Sequence, residues 1–330
     1  MRVVIPAFRA SDTLPQCISA LQRSGLPLEI TVVDDGENGD LKQILAAFPV
    51  QIVTGRDHSG AAAARNRGAA GYTGGILVFV DADVVVEADT IQNLVAPIQQ
   101  GISEATVGNY SCNTAGLNFF QAYKELYISH IYSRRSGYIP NEFWTAIGAV
   151  RADIFFELGG FKLGLGVVED TELGHRINER GGCILVVPNA CGQHLKPYTF
   201  KRLVQNDLCK GISISTLYFS IGERVSSYRH ASWRDMLAVA IAGACLALSF
   251  LTWFLLPWLA AISFISVWLL YGIARWDLIN VYRGPGAAFL IKSLLMMFLL
   301  DLVRGVALLI GLGKALSTPL RSPHSVSRQV

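Results

Sequence analysis

The chain has 330 residues, of which 52% are hydrophobic and only 16% charged, against about 45–50% and about 25% in an average soluble domain. Its formal net charge is +3 and no arginine-rich block dominates, which argues against nucleic acid as a partner. The apolar excess begins at Met236, so the chain divides into a soluble part, residues 1–230, a membrane part, residues 236–316, and a polar tail, residues 317–330.

The first hundred residues alternate strand and helix. Val3–Ala7 is an apolar strand, and Ser11 or Asp12 is positioned to cap a helix carrying Leu14, Cys17, Ile18 and Leu21 at helical spacing. Glu29–Asp35 is a second strand, Leu41 to Phe48 a second helix, Val50–Thr54 a third strand, and residues 60–70 an alanine-rich helix. Ile76–Val80 is a fourth strand, followed by a helix with Ile91, Leu94, Val95 and Ile98. These strands are continuously apolar rather than alternating, the pattern of a mostly parallel sheet with helices on both faces. Residues 117–135 are helical and aromatic-rich, glycines mark loops at 159–160 and 164–166, Glu169–Arg180 is a helix, and Cys183–Val187 is a further strand. Residues 199–220 form an amphipathic helix, suited equally to a membrane surface and to ordinary packing.

Two apolar stretches, residues 236–256 and 258–274, are each about long enough to cross a bilayer, with Pro257 at the turn between them. Arg224, Arg229 and Arg234 precede the pair, and Arg275 and Arg283 follow it, which places both flanks in the cytosol. A third run, residues 287–312, contains Lys292, Asp301 and Arg304, and is either a crossing or an interfacial helix. Six cysteines without CxxC spacing fit reduced thiols, and the Met1-Arg2 start lacks a signal-peptide pattern. The expectation is an integral membrane protein of a bacterial inner or plasma membrane, with a cytosolic soluble domain.

Ligands of open α/β sheets bind beyond the carboxyl ends of the strands. Pro6-Ala7-Phe8-Arg9, Asp34-Asp35-Gly36 and Asp81-Ala82-Asp83 stand at these ends. The absence of G-x-G-x-x-G after the first strand argues against a dinucleotide. Asp81 and Asp83, two residues apart in extended geometry, present two hard oxygen donors on one face, suited to Mg²⁺ or Mn²⁺. Asp35 suits a base or ribose contact, or a strand-end turn; Arg65, in Arg65-Asn66-Arg67, suits a nucleobase or phosphate, or a solvated helix end. Glu169-Asp170-Thr171-Glu172 supplies either a general base or helix-capping acids.

In order along residues 1–215, Val3-Val4-Ile5-Pro6-Ala7-Phe8, Val32-Val33-Asp34-Asp35-Gly36, Gly60 to Arg65-Asn66-Arg67-Gly68, Asp81-Ala82-Asp83, Gly159-Gly160-Phe161 and Glu169-Asp170-Thr171-Glu172-Leu173 resemble the inverting glycosyltransferases of family 2, which have the GT-A fold. The resemblance implies that Pro6, Ala7 and Asp35 line a nucleotide pocket, that Arg65 contacts the base or diphosphate, that Asp81 and Asp83 meet the metal, and that Asp170 is the catalytic base. It also places His194 at a further metal or diphosphate contact, though a structural histidine fits that position equally. The Q-x-x-R-W of processive members is absent: the comparable stretch is Gln205-Asn206-Asp207-Leu208-Cys209-Lys210, which argues for one sugar per event. The expected partners are a nucleotide-diphosphate sugar, a lipid or lipid-linked glycan hydroxyl, and the membrane. The alternatives are a polyprenyl-phosphate glycosyltransferase and a non-catalytic scaffold. A nucleotidyltransferase is disfavoured because Pro6 stands where a glycine-rich loop would.

Overall fold

The structure is a computed structural model that describes residues 1–36, 40–55, 58–134, 137–138, 142–221, 233–255 and 257–317. The boundary near 230, Arg224, Arg229, Leu256 and residues 318–330 of the tail therefore lie outside the described residues. The chain forms two compact units, Met1–Thr199 and Phe200–Val330.

The first unit is a nine-stranded sheet with helices against it. Its elements run β1 (Arg2–Ala7), α1 (Leu14–Gln22), β2 (Glu29–Asp34), α2 (Leu41–Ile44), β3 (Gln51–Thr54), α3 (Ala61–Ala69), β4 (Ile76–Val80), β5 (Val84–Val86), α4 (Thr90–Gln99), β6 (Ala105–Tyr110), α5 (Phe119–Ser133), β7 (Gly137–Tyr138), β8 (Ile147–Arg151), α6 (Ala152–Glu157), α7 (Glu169–Glu179) and β9 (Ile184–His194). The strand order is β3-β2-β1-β4-β8-β6-β9-β5, with β7 on β9. The β3, β2, β1 and β4 pairings are parallel, as the apolar runs indicated. Beyond β4 the sheet is mixed rather than mostly parallel: β8 runs antiparallel between β4 and β6, and β9 is parallel to β6 but antiparallel to β5.

Core packing explains the segments that periodicity missed. β6 is buried at all six positions; Thr106 Oγ1 donates to the Leu94 carbonyl of α4, and Asn109 Nδ2 to the Ser129 carbonyl of α5. Its polar residues are thus satisfied by the helices that cover it. At Gly148 of β8 a Cβ would overlap the Trp144 carbonyl, so the strand depends on a residue that carries no strand signal. The expected cap at Ser11 or Asp12 is not made: α1 starts after Thr13 without a side-chain cap, and Pro15 occupies its first turn, where a missing N–H costs nothing.

The second unit is helical: α8 (Phe200–Ile221), α9 (Trp233–Leu255), α10 (Pro257–Ala274), α11 (Trp276–Arg283) and α12 (Ala287–Ser317). The helix near 199–220 belongs here, not to the sheet unit, because α8 packs along α12. Small residues allow that approach: a Cβ on Gly211 would meet Ala307 Cβ at 2.7 Å, and one on Gly311 would overlap Ser215. α9 and α10 are separate helices packed on one another, and Pro257 is the first residue of α10. Among the described residues one helix, α12, is long and apolar enough to cross a membrane.

Asp301, Arg304 and Arg275 are paired in that apolar setting. Asp301 is fully buried and accepts from Arg275 Nε (2.9 Å) and Nη2 (2.6 Å), from the Tyr271 hydroxyl (2.6 Å) and from Arg304 Nη1 (3.0 Å). Arg304 also donates to Asp207 of α8, and Arg275 to Asp235 of α9. The Asp301–Arg304 pair, three residues apart on α12, is therefore one edge of a network joining α8, α9, α10 and α12. An unpaired charge there would be costly, so the network fixes which helices meet.

Candidate active site

The site lies around the turn between β4 and β5. β4 ends at Val80, and Asp81-Ala82-Asp83 is a tight turn closed by the Val84 N–H donating to the Asp81 carbonyl (3.0 Å). The two carboxylates are therefore not in the extended, same-face arrangement expected from their spacing. The turn sends them to different partners.

Asp81 Oδ1 accepts from Arg65 Nη2 at 2.8 Å, while Arg65 Nη1 donates to Glu169 Oε1 at 2.7 Å. Arg65 is buried on α3 and bridges the end of β4 to the start of α7, with its guanidinium 5.8 Å from the Phe161 ring. It is neither a solvated helix end nor, in this arrangement, open to a nucleobase. Burial opposes its charge, but Asp81, Glu169 and Asp170 outweigh that and raise its pKa. Burial lifts the Glu169 carboxyl above the usual range, Asp170's charge adds to the shift, and Arg65 opposes it.

The loop at Gly159-Gly160-Phe161 holds α3 and α7 in register. Asn66 Nδ2 donates to the Phe161 carbonyl (2.7 Å), and Asn66 Oδ1 accepts the Phe161 N–H (2.9 Å). Gly160 has φ 71°, and a Cβ there would come within 2.6 Å of Asn66 Oδ1, so glycine is required. Arg176 of α7 donates to the Gly160 carbonyl (2.7 Å) and clasps Glu172. Glu169 and Glu172 are thus buried in ion pairs, with Arg65 and with Arg176 and Lys162. Asp170 between them is only half-buried and accepts the Thr171 N–H at 2.7 Å. The three acids open α7, where the helix dipole favours negative charge.

Asp83 faces His194 instead. His194 closes β9 in register with Val84, and the Leu195 N–H donates to the Asp83 carbonyl (2.7 Å). His194 Nε2 stands 3.4 Å from Asp83 Oδ2, and its Nδ1 lies 3.8 Å from Glu125 Oε1 of α5. Burial works against the Asp83 charge, but the hydrogen bond and charge of His194, with Lys196 behind, hold its carboxyl below the usual range. Glu125 is pushed the other way, to about 8, by burial, with the His194 backbone N–H opposing and Asp83 adding.

Among the described residues no group of three His, Cys, Asp or Glu side chains is arranged to hold a metal ion unaided. The donor chemistry at Asp83 and His194 nevertheless fits a divalent cation. A carboxylate oxygen from the β4–β5 turn and an imidazole nitrogen from the end of β9 face one another, and a diphosphate and waters would complete such an ion's shell. Asp81 contributes an oxygen to Arg65 instead.

At the β1 and β2 ends, Pro6 and Ala7 are the last residues of β1, and the Asp35 N–H donates to the Ala7 carbonyl (2.9 Å). Asp35 is buried, accepting from Ser59 N (3.0 Å), Ser59 Oγ (2.8 Å) and Gly60 N (2.9 Å). Its carboxylate secures the entry to α3. Sequence reasoning passed over Phe8 and His58, whose rings stack at 4.0 Å with His58 Nδ1 2.9 Å from Asp35 Oδ2. It passed over Glu125 too, an acid inside an aromatic-rich helical pattern with nothing in the sequence to pair it with His194.

Comparisons with known proteins agree with this architecture. The chain is 28% identical over 141 residues to glycosyltransferase GlyA of Streptococcus pneumoniae, covering 41% of this chain and 20% of that protein. It is 27% identical over 110 residues to the succinoglycan biosynthesis protein ExoO of Rhizobium meliloti, covering 32% of each. The chain thus spans less than a third of the length of these curated relatives. Among solved structures, the mannosyltransferase PcManGT from Pyrobaculum calidifontis, in complex with GDP-Man and Mn²⁺, superposes with a TM-score of 0.58 at 16% identity, over 93% of this chain and 86% of that one. It shares the fold, a GT-A-type mixed sheet. Residues 2–155 match the family described as Glycosyl transferase family 2.

Proposed function

We propose that the protein transfers a single sugar, with inversion, from a nucleotide-diphosphate sugar to a hydroxyl of a lipid or lipid-linked glycan at the cytosolic face of a membrane. The observation that carries this is the β4–β5 turn, which aims Asp81 at the Arg65–Glu169 cluster beside Asp170 and Asp83 at His194. Asp170 accepts the proton of the acceptor hydroxyl as that oxygen attacks the anomeric carbon, and the bond from that carbon to the diphosphate breaks. The half-exposure of Asp170, between two acids buried in ion pairs, suits it to meet an incoming acceptor. Arg65 keeps Asp81 and Glu169 from adding two uncompensated negative charges to a site that must receive a diphosphate. Asp83 and His194 would hold Mn²⁺ or Mg²⁺, which when bound supplies positive charge to the departing diphosphate. Pro6, Ala7 and Asp35 form the wall at the β1 and β2 ends against which the nucleoside would rest. The apolar C-terminal unit, with exposed Phe250, Trp253, Ile273 and Leu309, supports a membrane location and a hydrophobic acceptor.

Asp170→Asn tests the assignment. Transfer should fall by about 10²–10⁴-fold while nucleotide-sugar binding persists, and retained turnover would remove Asp170 as the base. Titrating UDP-, GDP- and dTDP-sugars with and without Mn²⁺ identifies the donor; a non-catalytic scaffold would bind none of them in a metal-dependent way.

A further inference from the structure

Resting on the proposed metal site, we infer that Glu125 is a positioning residue that sets the orientation and tautomer of His194. His194 is buried with two rings against it: Tyr110 stacks on it at 5.2 Å with 14° between planes, and Tyr198 lies 5.8 Å away, tilted by 43°. These contacts fix the plane of the imidazole, but they do not choose between the two half-turns that exchange its nitrogens and carbons. The edge contacts do. Nε2 faces Asp83 at 3.4 Å, and Nδ1 faces Glu125 at 3.8 Å.

An imidazole that binds a cation through Nε2 must carry its proton on Nδ1. His194 Nδ1 is buried without a hydrogen-bond partner among the described residues, and Glu125 Oε2 is likewise buried without one. Both groups bear the cost of an unpaired buried polar atom. A sub-ångström approach of Glu125 Oε1 to Nδ1 closes the contact to hydrogen-bond length and gives the Nδ1 proton an acceptor. The line Asp83–His194–Glu125 then has the form of a histidine ligand held from behind by a carboxylate, an arrangement that raises ligand basicity. Glu125 sits on α5, which packs against β6 and β9, so it reaches His194 from an element separate from the β4–β5 turn. It touches neither sugar nor diphosphate and acts through His194 alone.

The test uses the full chain in detergent, with Glu125→Ala and the near-isosteric Glu125→Gln, whose amide oxygen still accepts from Nδ1–H. Mn²⁺ binding is measured by electron paramagnetic resonance with UDP and, separately, with GDP at saturation. Circular dichroism confirms that each variant is folded. Glu125→Ala should weaken Mn²⁺ binding by about 10–100-fold, with UDP or GDP binding in the absence of metal unchanged, and Glu125→Gln should recover most of the loss. A folded Glu125→Ala that binds Mn²⁺ like wild type, or a Glu125→Gln as weak as Glu125→Ala, would overturn the inference while leaving the metal site intact. If wild type binds nucleotide with no response to Mn²⁺, it is the metal reading itself that fails.

Discussion

Replacing Arg65 with methionine removes the one buried cation that holds the site's acids together. The side chain of Arg65 is 5% exposed and that of Glu169 7%, so loss of the guanidinium leaves Glu169 as an uncompensated buried carboxylate; Asp81, at 32%, is partly relieved by water. Breaking a buried pair from one side costs about 3–5 kcal/mol. For a unit of this size, 1 kcal/mol lowers the melting temperature by about 2–4 °C, so the expected fall is about 6–20 °C. Cys17 reports on this unit alone, because it is fully buried on α1 and its thiol donates to the Asp81 carbonyl. Its alkylation, followed by mass spectrometry over a temperature ramp, gives the melting point. The double variant Arg65→Met/Glu169→Gln should recover much of the loss, since it removes the stranded charge. The deficit should also depend on pH. Glu169 is already raised by burial, and without Arg65 it rises further; a raised carboxyl favours the folded state when protonated, and that contribution is lost as pH climbs through its folded value. The gap between Arg65→Met and wild type should therefore widen as pH rises above the ordinary carboxylate range. A single variant melting within about 2 °C of wild type, less than the smallest buried-pair loss allows, would refute the reasoning. A double variant no better than the single would refute the charge account specifically.

Two further outcomes follow from packing and burial. Gly311→Leu on α12 would drive a side chain into Ser215 and the Ile212 carbonyl of α8, at a cost of about 1–3 kcal/mol; a lower unfolding temperature of the helical unit in detergent checks it, and an unchanged one would deny close α8–α12 contact. Thiol labelling at pH 8 should modify exposed Cys112 and Cys209 first. Cys191, raised to about 11 by burial with Glu87 and Cys112 adding, is then only about 0.1% thiolate; mass spectrometry of the labelled peptides orders the rates, and early labelling of Cys191 would contradict its environment.

Much of the site was legible because its chemistry is carried by short local patterns. Apolar runs located β1, β2 and β4, the last two ending in acids, and the acids at 169–172 fell at a helix start, where the dipole favours them. β5, β6 and β8 were not legible. β5 is three residues long, β6 contains Thr106 and Asn109, and β8 depends on Gly148. Their identity as strands comes from neighbours that bury them, not from a period in their own residues. The long membrane-like C-terminal pattern likewise announced helices, while giving no sign that α8 belongs with them.

The sequence alone determined the family resemblance, the apolar C-terminal third and the importance of Asp81-Ala82-Asp83, since each is written in contiguous residues. Only the tertiary structure decided what that triplet does. Because β4 ends one residue before it and β5 joins the sheet elsewhere, beside β9, the chain must turn there. Extended geometry would have put both carboxylates on one face; the turn divides them between Arg65 and His194, which are 129 positions apart in the chain and meet the triplet only because α3 brings Arg65 to Asp81 and β9 pairs with β5.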